Sequence, residues 1–191
     1  MTTLIEQALD EESWAVGAQV QLKNVHIAPV HFKGQTPRLQ LHARCHLLTR
    51  IPFAPGVYRG TGQENRLSLL MDVPANVIEQ LERIEAILIQ KACEHVPLVE
   101  SLWNSCVKNA PFGKQVKVKL NADGAYKIQL YNEAGEPISI PLEDLQRRNV
   151  LPILSIRGIY AQRGMCGLMV DVAAMMCGER PPATAPTIEF I

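Results

Sequence analysis

Residues 150–177 read VLPILSIRGIYAQRGMCGLMVDVAAMMC, two apolar runs around a centre that carries Arg157, Tyr160 and Arg163 among three glycines. Arg157, Arg163 and Asp171 interrupt the stretch before it reaches the ~20 apolar residues that a helix needs to cross a bilayer. The two runs predict a pair of core strands in a β-barrel. Two cations and an aromatic kept at the middle of so apolar a segment predict that this middle is one wall of a groove for a polyanion.

Strand signals recur elsewhere. In RLQLHARC (residues 38–45), Leu39, Leu41, Ala43 and Cys45 share one face, and Arg38, Gln40, His42 and Arg44 the other. In KQVKVKL (114–120), Val116, Val118 and Leu120 point inward, and Gln115, Lys117 and Lys119 outward. In YKIQLY (126–131), Tyr126, Ile128 and Leu130 oppose Lys127, Gln129 and Tyr131. Period-two alternation of this kind marks half-buried strands. NADG at 121–124 predicts a hairpin turn between the last two, since Asp-Gly suits positive φ. ISIPLED (138–144) reads as a further short strand. WAVGAQVQLKNVHI (14–27) predicts one long first strand with Val16, Ala18, Val20 and Leu22 on one face, and RLSLLMDV (66–73) buries Leu67, Leu69 and Met71 with Arg66 outward. Trp14, Trp103 and Tyr126 are expected in the core. Residues 49–62, TRIPFAPGVYRGTG, hold too much Pro and Gly for a central strand and predict a shaped loop carrying Arg50, Phe53, Tyr58 and Arg59.

One segment is helical by pattern. DVPANVIEQLERIEAILIQKACEH (72–95) offers Asp72 as N-cap and Pro74 in the first turn. Val77, Leu81, Ile84 and Leu88 recur at helical spacing, and Glu79, Glu82 and Glu85 are assigned to solvent. Pro97 should end the helix, and LVESLWNSCV (98–107) suits a second, shorter one.

The formal net charge is zero, but charge is sorted along the chain. Residues 1–22 sum to −4, 23–66 to +6, 67–100 to −4, 101–170 to +4 and 171–191 to −2. Fields act within a Debye length of ~8–10 Å, so a neutral molecule can still present a basic groove.

The five cysteines form no C-x-x-C pair, and the acidic N-terminus has no basic n-region, which implies a reducing, intracellular setting. On a strand, His42 and His46 would face away from Cys45, so HARCH does not make a metal site. Cys93 beside His95 lacks an orienting third group. GTG at 60–62 and FGK at 112–114 satisfy neither a dinucleotide fingerprint nor a phosphate-binding loop. No catalytic, metal or cofactor site is expected, which moves weight from enzyme to binding module.

The order of these features resembles the single-stranded DNA-binding proteins of large eukaryotic DNA viruses. TRIPFAPGVYRGTGQENRLSLLMDV looks like that family's Pro-Phe-Gly turn and apolar strand, interrupted here by Ala54 and Pro55. RIEAILIQKACEHVPLVESLW looks like its helix with a Trp downstream, and KQVKVKL with ILSIRGIYAQRGMCGLMVDV like its lysine-rich strand and terminal hairpin. Tyr160 stands where the family has Trp, Ala161 replaces a second aromatic, and Met165-Cys166 occupies its Phe-Gly region.

The resemblance implies an α+β, mainly β fold: an OB-like antiparallel barrel with a long helix inserted between strands. The implied layout is an acidic segment over 1–12, one domain over 13–178 with a helical insertion at about 74–108, and a tail over 179–191. The implied activity is sequence-independent binding of single-stranded DNA, with RNA as a further ligand, in viral DNA replication, recombination or repair. Lys114, Lys117, Lys119, Lys127, Arg157 and Arg163 would neutralise phosphates, and Tyr131 and Tyr160 would stack bases. Arg50, Phe53, Tyr58 and Arg59 would supply a second wall. The acidic end at residues 6–12 reads as mobile, suited to compete for the groove, to recruit replication proteins, or only to keep the chain soluble. Homo-oligomers, no membrane, and the nucleus or cytoplasm of an infected cell complete the expectation. The alternative is a β-rich assembly protein that self-associates through MVDVAAMMC.

Overall fold

A computed structural model describes residues 2–22, 25–41, 49–57, 65–92, 103–111, 113–162 and 164–178 of the 191-residue chain. Its first strands are β1 (Thr3–Leu4), β2 (Trp14–Val16), β3 (Val20–Leu22), β4 (Val25–Phe32), β5 (Arg38–Gln40), β6 (Thr49–Arg50), β7 (Gly56–Val57) and β8 (Arg66–Asp72). Helix α1 (Ala75–Ala92) follows, then β9 (Val107–Ala110), β10 (Gly113–Asn121), β11 (Gln129–Tyr131), β12 (Asn149–Gln162) and β13 (Met165–Cys177).

The alternating strands and the apolar closing segment make one closed ring. β12 pairs with β6, β6 with β8, β8 with β10, β10 with β13, and β13 returns to β12. A five-stranded ring is odd, so strand directions cannot alternate all the way round. One seam must be parallel, and it lies between β10 and β13, where Lys119 faces Asp171. The other four seams are antiparallel. The fold is thus mainly β, an OB-like barrel with one long helix inserted between strands.

The alternation fills this barrel as expected. Leu39, Leu41, Leu67, Leu69, Met71, Val116, Val118 and Leu120 are buried, and the closing hairpin adds Leu154, Ile156, Val170, Val172 and Met175. MVDVAAMMC, the stretch assigned above to self-association, is therefore barrel wall. α1 buries Val77, Leu81, Ile84 and Leu88, packing chiefly on residues 5–9 and β2 and, less, on β9 and β10, each side chain worth roughly 1.5–3 kcal/mol relative to exposure. Its first turn starts at the Pro74 carbonyl, which accepts from the amides of Val77 and Ile78, and Asp72 is not the cap. Instead Asp72 ends β8 and accepts from Gln115 Nε2 at 2.7 Å.

Several expectations need correction. The first strand is broken: Val16 lies opposite Val30 but Val20 lies opposite Ile27, so the 14–22 side of the pair holds one residue more than its partner. An extra residue reverses the face of everything after it. Val16 is buried, whereas Val20 and Leu22 are 52% and 55% exposed. NADG does not make a hairpin either, because β11 does not return along β10 but runs parallel to β13 beyond it. Residues 138–144 hold no strand, and Leu142–Leu145 is a short 3-10 turn. Of 98–107, the described part is extended: Trp103 bridges Cys166 and β9 begins at Val107. Trp103 is only partly buried, while Trp14 is in the core, donating through Nε1 to Ala8 O at 2.7 Å.

The acidic end is docked rather than mobile. β1 pairs with β5, and Ile5 and Ala8 are fully buried. Glu85, assigned to solvent, is 4% exposed. Its carboxylate accepts from the Ser105 hydroxyl at 2.5 Å and the Cys106 amide at 2.8 Å, tying α1 to the segment before β9. His42, Cys45, His46, Cys93, His95 and Pro97 lie outside the described residues. Among the described residues no group of three metal-ligating side chains gathers, and no helix is long and apolar enough to cross a membrane.

Candidate nucleic-acid interface

The outward positions of β10 and β8 carry Lys117, Lys119 and Arg66, and the barrel's curvature brings them under two raised walls. One wall is the strip Asn104, Ser105, Cys106 and Lys108 leading into β9. The other is the tip of the β12–β13 hairpin with the outer ends of β3 and β4. Between them lies a groove of about 690 Å³. Four cations line it, Arg66, Lys108, Lys117 and Lys119, and no carboxylate does among the described residues. Leu22, Val25, Ile27 and Met165 form its apolar lip, with Tyr160 and Gln162 beside them.

Two irregularities of the sheet build this arrangement. The extra residue before β3 turns Leu22 onto the groove face, paired across with Val25. The second irregularity is in β12, where Ile156 pairs with Val170 but Gly158 with Met169, leaving Arg157 as the unpaired extra residue. Such bulges re-aim a side chain. The Arg157 guanidinium reaches Asp171 at 2.5 Å, and Arg66 lies 3.8 Å from the other oxygen of the same carboxylate. Asp171 is 3% exposed, so its charge is met by two guanidinium groups at the parallel seam.

Lys119 stands next to Asp171 across that seam and is the most perturbed cation of the groove. Burial lowers its ammonium from 10.5 to about 8, and repulsion from Arg66, Arg157 and Lys117 adds to this, while Asp171 pulls the other way. A cation disfavoured by desolvation and by its own neighbours gains most from a bound anion.

Tyr160 is held from three sides. Its hydroxyl accepts from Asn104 Nδ2 at 2.8 Å, and Lys108 Nζ bonds Asn104 Oδ1 in turn. Lys119 Nζ lies 5.8 Å from the ring centroid. Gly167 underlies the ring: a Cβ there would sit 2.6 Å from the Asn104 carbonyl and 3.1 Å from the Tyr160 hydroxyl. Only glycine admits this close approach of the 103–106 strip to the hairpin.

Of the residues expected in the interface, the structure brings Lys117, Lys119 and Tyr160 together, with Arg157 adjoining them through Asp171. Lys114 is elsewhere, paired with Glu82 of α1 at 2.5 Å. Lys127 and Tyr131 line a separate concavity of about 430 Å³ with Pro137 and Ile138. Arg50 is exposed at the β6 end and Phe53 is 58% exposed on its loop, and neither lines the groove. Tyr58, Arg59 and Arg163 lie outside the described residues. Sequence reasoning passed over Arg66, Lys108 and Asn104. Arg66 was marked outward by its strand's alternation, and the basic block over 101–170 contains Lys108. Tyr126, assigned to the core, is 61% exposed.

No protein-family model matches the chain, and no curated protein does. Among solved structures it is similar to the single-stranded DNA-binding protein from bacteriophage Enc34 in complex with ssDNA, with a TM-score of 0.48 and 9% identity over 87% of this chain and 96% of that one. A second structure of the Enc34 protein gives a TM-score of 0.47 and 9% identity, covering 91% of this chain and 96% of that one. Gp2.5, a single-stranded DNA-binding protein encoded by bacteriophage T7, gives 0.40 and 11% identity over 73% of this chain and 86% of the other.

Proposed function

We propose that the groove binds single-stranded DNA, largely without regard to sequence. One observation carries this reading: four cations and a tyrosine share a groove with an apolar lip and no carboxylate among its described lining. A single strand offers regularly spaced phosphates and open base faces together, whereas duplex DNA offers the phosphates and hides the faces. Cations alone would serve either form. The exposed Leu22 and Met165 beside Tyr160 favour the unpaired one. Stacking on the tyrosine contributes about 1–3 kcal/mol per base and tolerates any base. The accompanying role in viral DNA replication, recombination or repair is supported by the sequence resemblance alone.

A labelled oligonucleotide titrated with the protein at several salt concentrations tests the proposal. The expected result is tight binding of single strands at low salt, weakening by about 0.7 log units in affinity per log unit of salt for each phosphate contact. Preference for duplex, or no binding at low salt, refutes it.

A further inference from the structure

Tyr126 is the most exposed large apolar-bodied residue among those described, at 61%, and it is not loosely held. The Arg157 guanidinium carbon lies over its ring, 4.3 Å from the centroid. Arg157 is in turn fixed by the buried carboxylate of Asp171. The turn carrying Tyr126 is pinned as well. The Ile128 amide donates to Asn121 O at 2.9 Å, the Ala122 amide donates to Asn65 O at 2.7 Å, and Asn65 Nδ2 bonds Asp123. A residue that only shielded Arg157 would need its ring covered on the far side or tucked down. This ring has a cation behind one face and most of its surface in solvent.

From the groove outward, the side chains form a row with an aromatic at each end and two cations between: Tyr160, Lys119 over its ring, Arg157 near Lys119, and Tyr126 under Arg157. An aromatic and a cation, then a cation and an aromatic, match a strand whose bases and phosphates both need partners. We propose that Tyr126 is a second base-stacking position, outside the groove, that takes a further base of the same single strand after it leaves Tyr160. The proposal rests on the groove's binding single-stranded DNA. It also gives the neighbouring Lys127, stranded outside the groove, a phosphate to meet. Because Arg157 and the turn are already ordered, stacking there forfeits little side-chain freedom.

Oligothymidylates of about 4 to 16 nucleotides, the span of single-strand site sizes for one such barrel, test it with the full chain. The wild type should bind longer oligonucleotides more tightly than short ones. Tyr126→Ala should lose about tenfold on the long ones, within the range for one stacked base, and nothing on the shortest, with an unchanged melting curve. Tyr126→Trp should keep the affinity and show indole quenching on binding, over the background of the wild-type tryptophans. Equal affinity of Tyr126→Ala and wild type at every length, with no quenching in Tyr126→Trp, overturns the second position and leaves the groove standing. A uniform loss at all lengths accompanied by a lower melting temperature also overturns it, since Tyr126 would then only support Arg157. Failure of the wild type to bind any of the series overturns the groove and this position together.

Discussion

Lys119→Met separates binding from folding at one atom group. Methionine keeps an unbranched stem beside Tyr160 and removes the ammonium. The ammonium is the cation that burial and the neighbouring Arg66, Arg157 and Lys117 already disfavour, with a pKa lowered to about 8. Taking it away removes a desolvation penalty and three repulsions and forfeits two attractions, to Asp171 and to the face of the Tyr160 ring. The folded state should therefore be unharmed, with a melting temperature equal to or above that of the wild type. Binding should suffer by one phosphate contact. The salt slope should become shallower by about 0.7, which carried from about 1 M to about 0.05 M salt is roughly eightfold in Kd. Lys114→Met is the control, because Lys114 is paired with Glu82, both are partly exposed, and neither lines the groove. Fluorescence anisotropy of a labelled oligothymidylate at five or so salt concentrations gives the slope, and differential scanning calorimetry gives the melting temperature. An unchanged slope for Lys119→Met alongside a shallower one for Lys114→Met would refute the placement of the groove. A fall of several degrees in the melting temperature would refute the account of Lys119 as a disfavoured cation.

Three further outcomes follow. Asp171→Asn leaves Arg157 and Arg66 without their counter-charge. The expected loss is about 3 kcal/mol, the lower end for a broken buried pair because both arginine side chains stay partly exposed, read as a melting temperature lower by about 6–12 °C. Gly167→Ala forces a methyl to within 2.6 Å of the Asn104 carbonyl, so it should destabilise by about 1–3 kcal/mol and weaken oligonucleotide binding by displacing Tyr160. In the wild type, raising the pH through about 8 discharges Lys119, so DNA affinity should fall. Over the same rise, from about 8 to 10.5, the unfolded chain still holds the proton that the folded one has released, so this group makes stability increase with pH. Both trends should be missing from Lys119→Met.

Much of the barrel was legible because its strands obey a simple parity. Leu39 and Leu41, Leu67 through Met71, and Val116 through Leu120 are buried as their alternation requires. Parity also explains the errors. It is broken by a single additional residue, and the one local sign of it is Gly17, a glycine within the strand pattern of the kind that marks a bulge; alternation carried straight past it puts Val20 and Leu22 on the wrong side. Tyr126 was placed by extending the alternation of Ile128 and Leu130 into what is a turn, with β11 beginning only at Gln129. Glu85 could have been read correctly. Leu81 and Leu88 lie four residues before and three after it, on the same helical face, and the glutamate's charge outweighed that spacing in the assignment. The site was less legible than the fold. Lys117, Lys119 and Tyr160 sit on regular strands and were found. Arg157 owes its direction to a bulge, and Asn104 and Lys108 are brought in by a contact between segments more than fifty residues apart.

The closing hairpin also dictates when this molecule can fold. β12 is the partner of β4, β5 and β6, and β13 is the partner of β10 and β11. Five of the eleven earlier strands thus wait for residues 149–177 before an edge is satisfied, and the ring through β6, β8 and β10 cannot close without them. On a ribosome adding about 5–20 residues per second, β8 would leave the exit tunnel several seconds before its ring could close. Ring closure should therefore come late in folding, slow in the manner of folds ruled by distant pairings, and the nascent chain should be a natural client for a chaperone. A chain shortened within β13 should accumulate as aggregate, whatever its affinity for nucleic acid would have been.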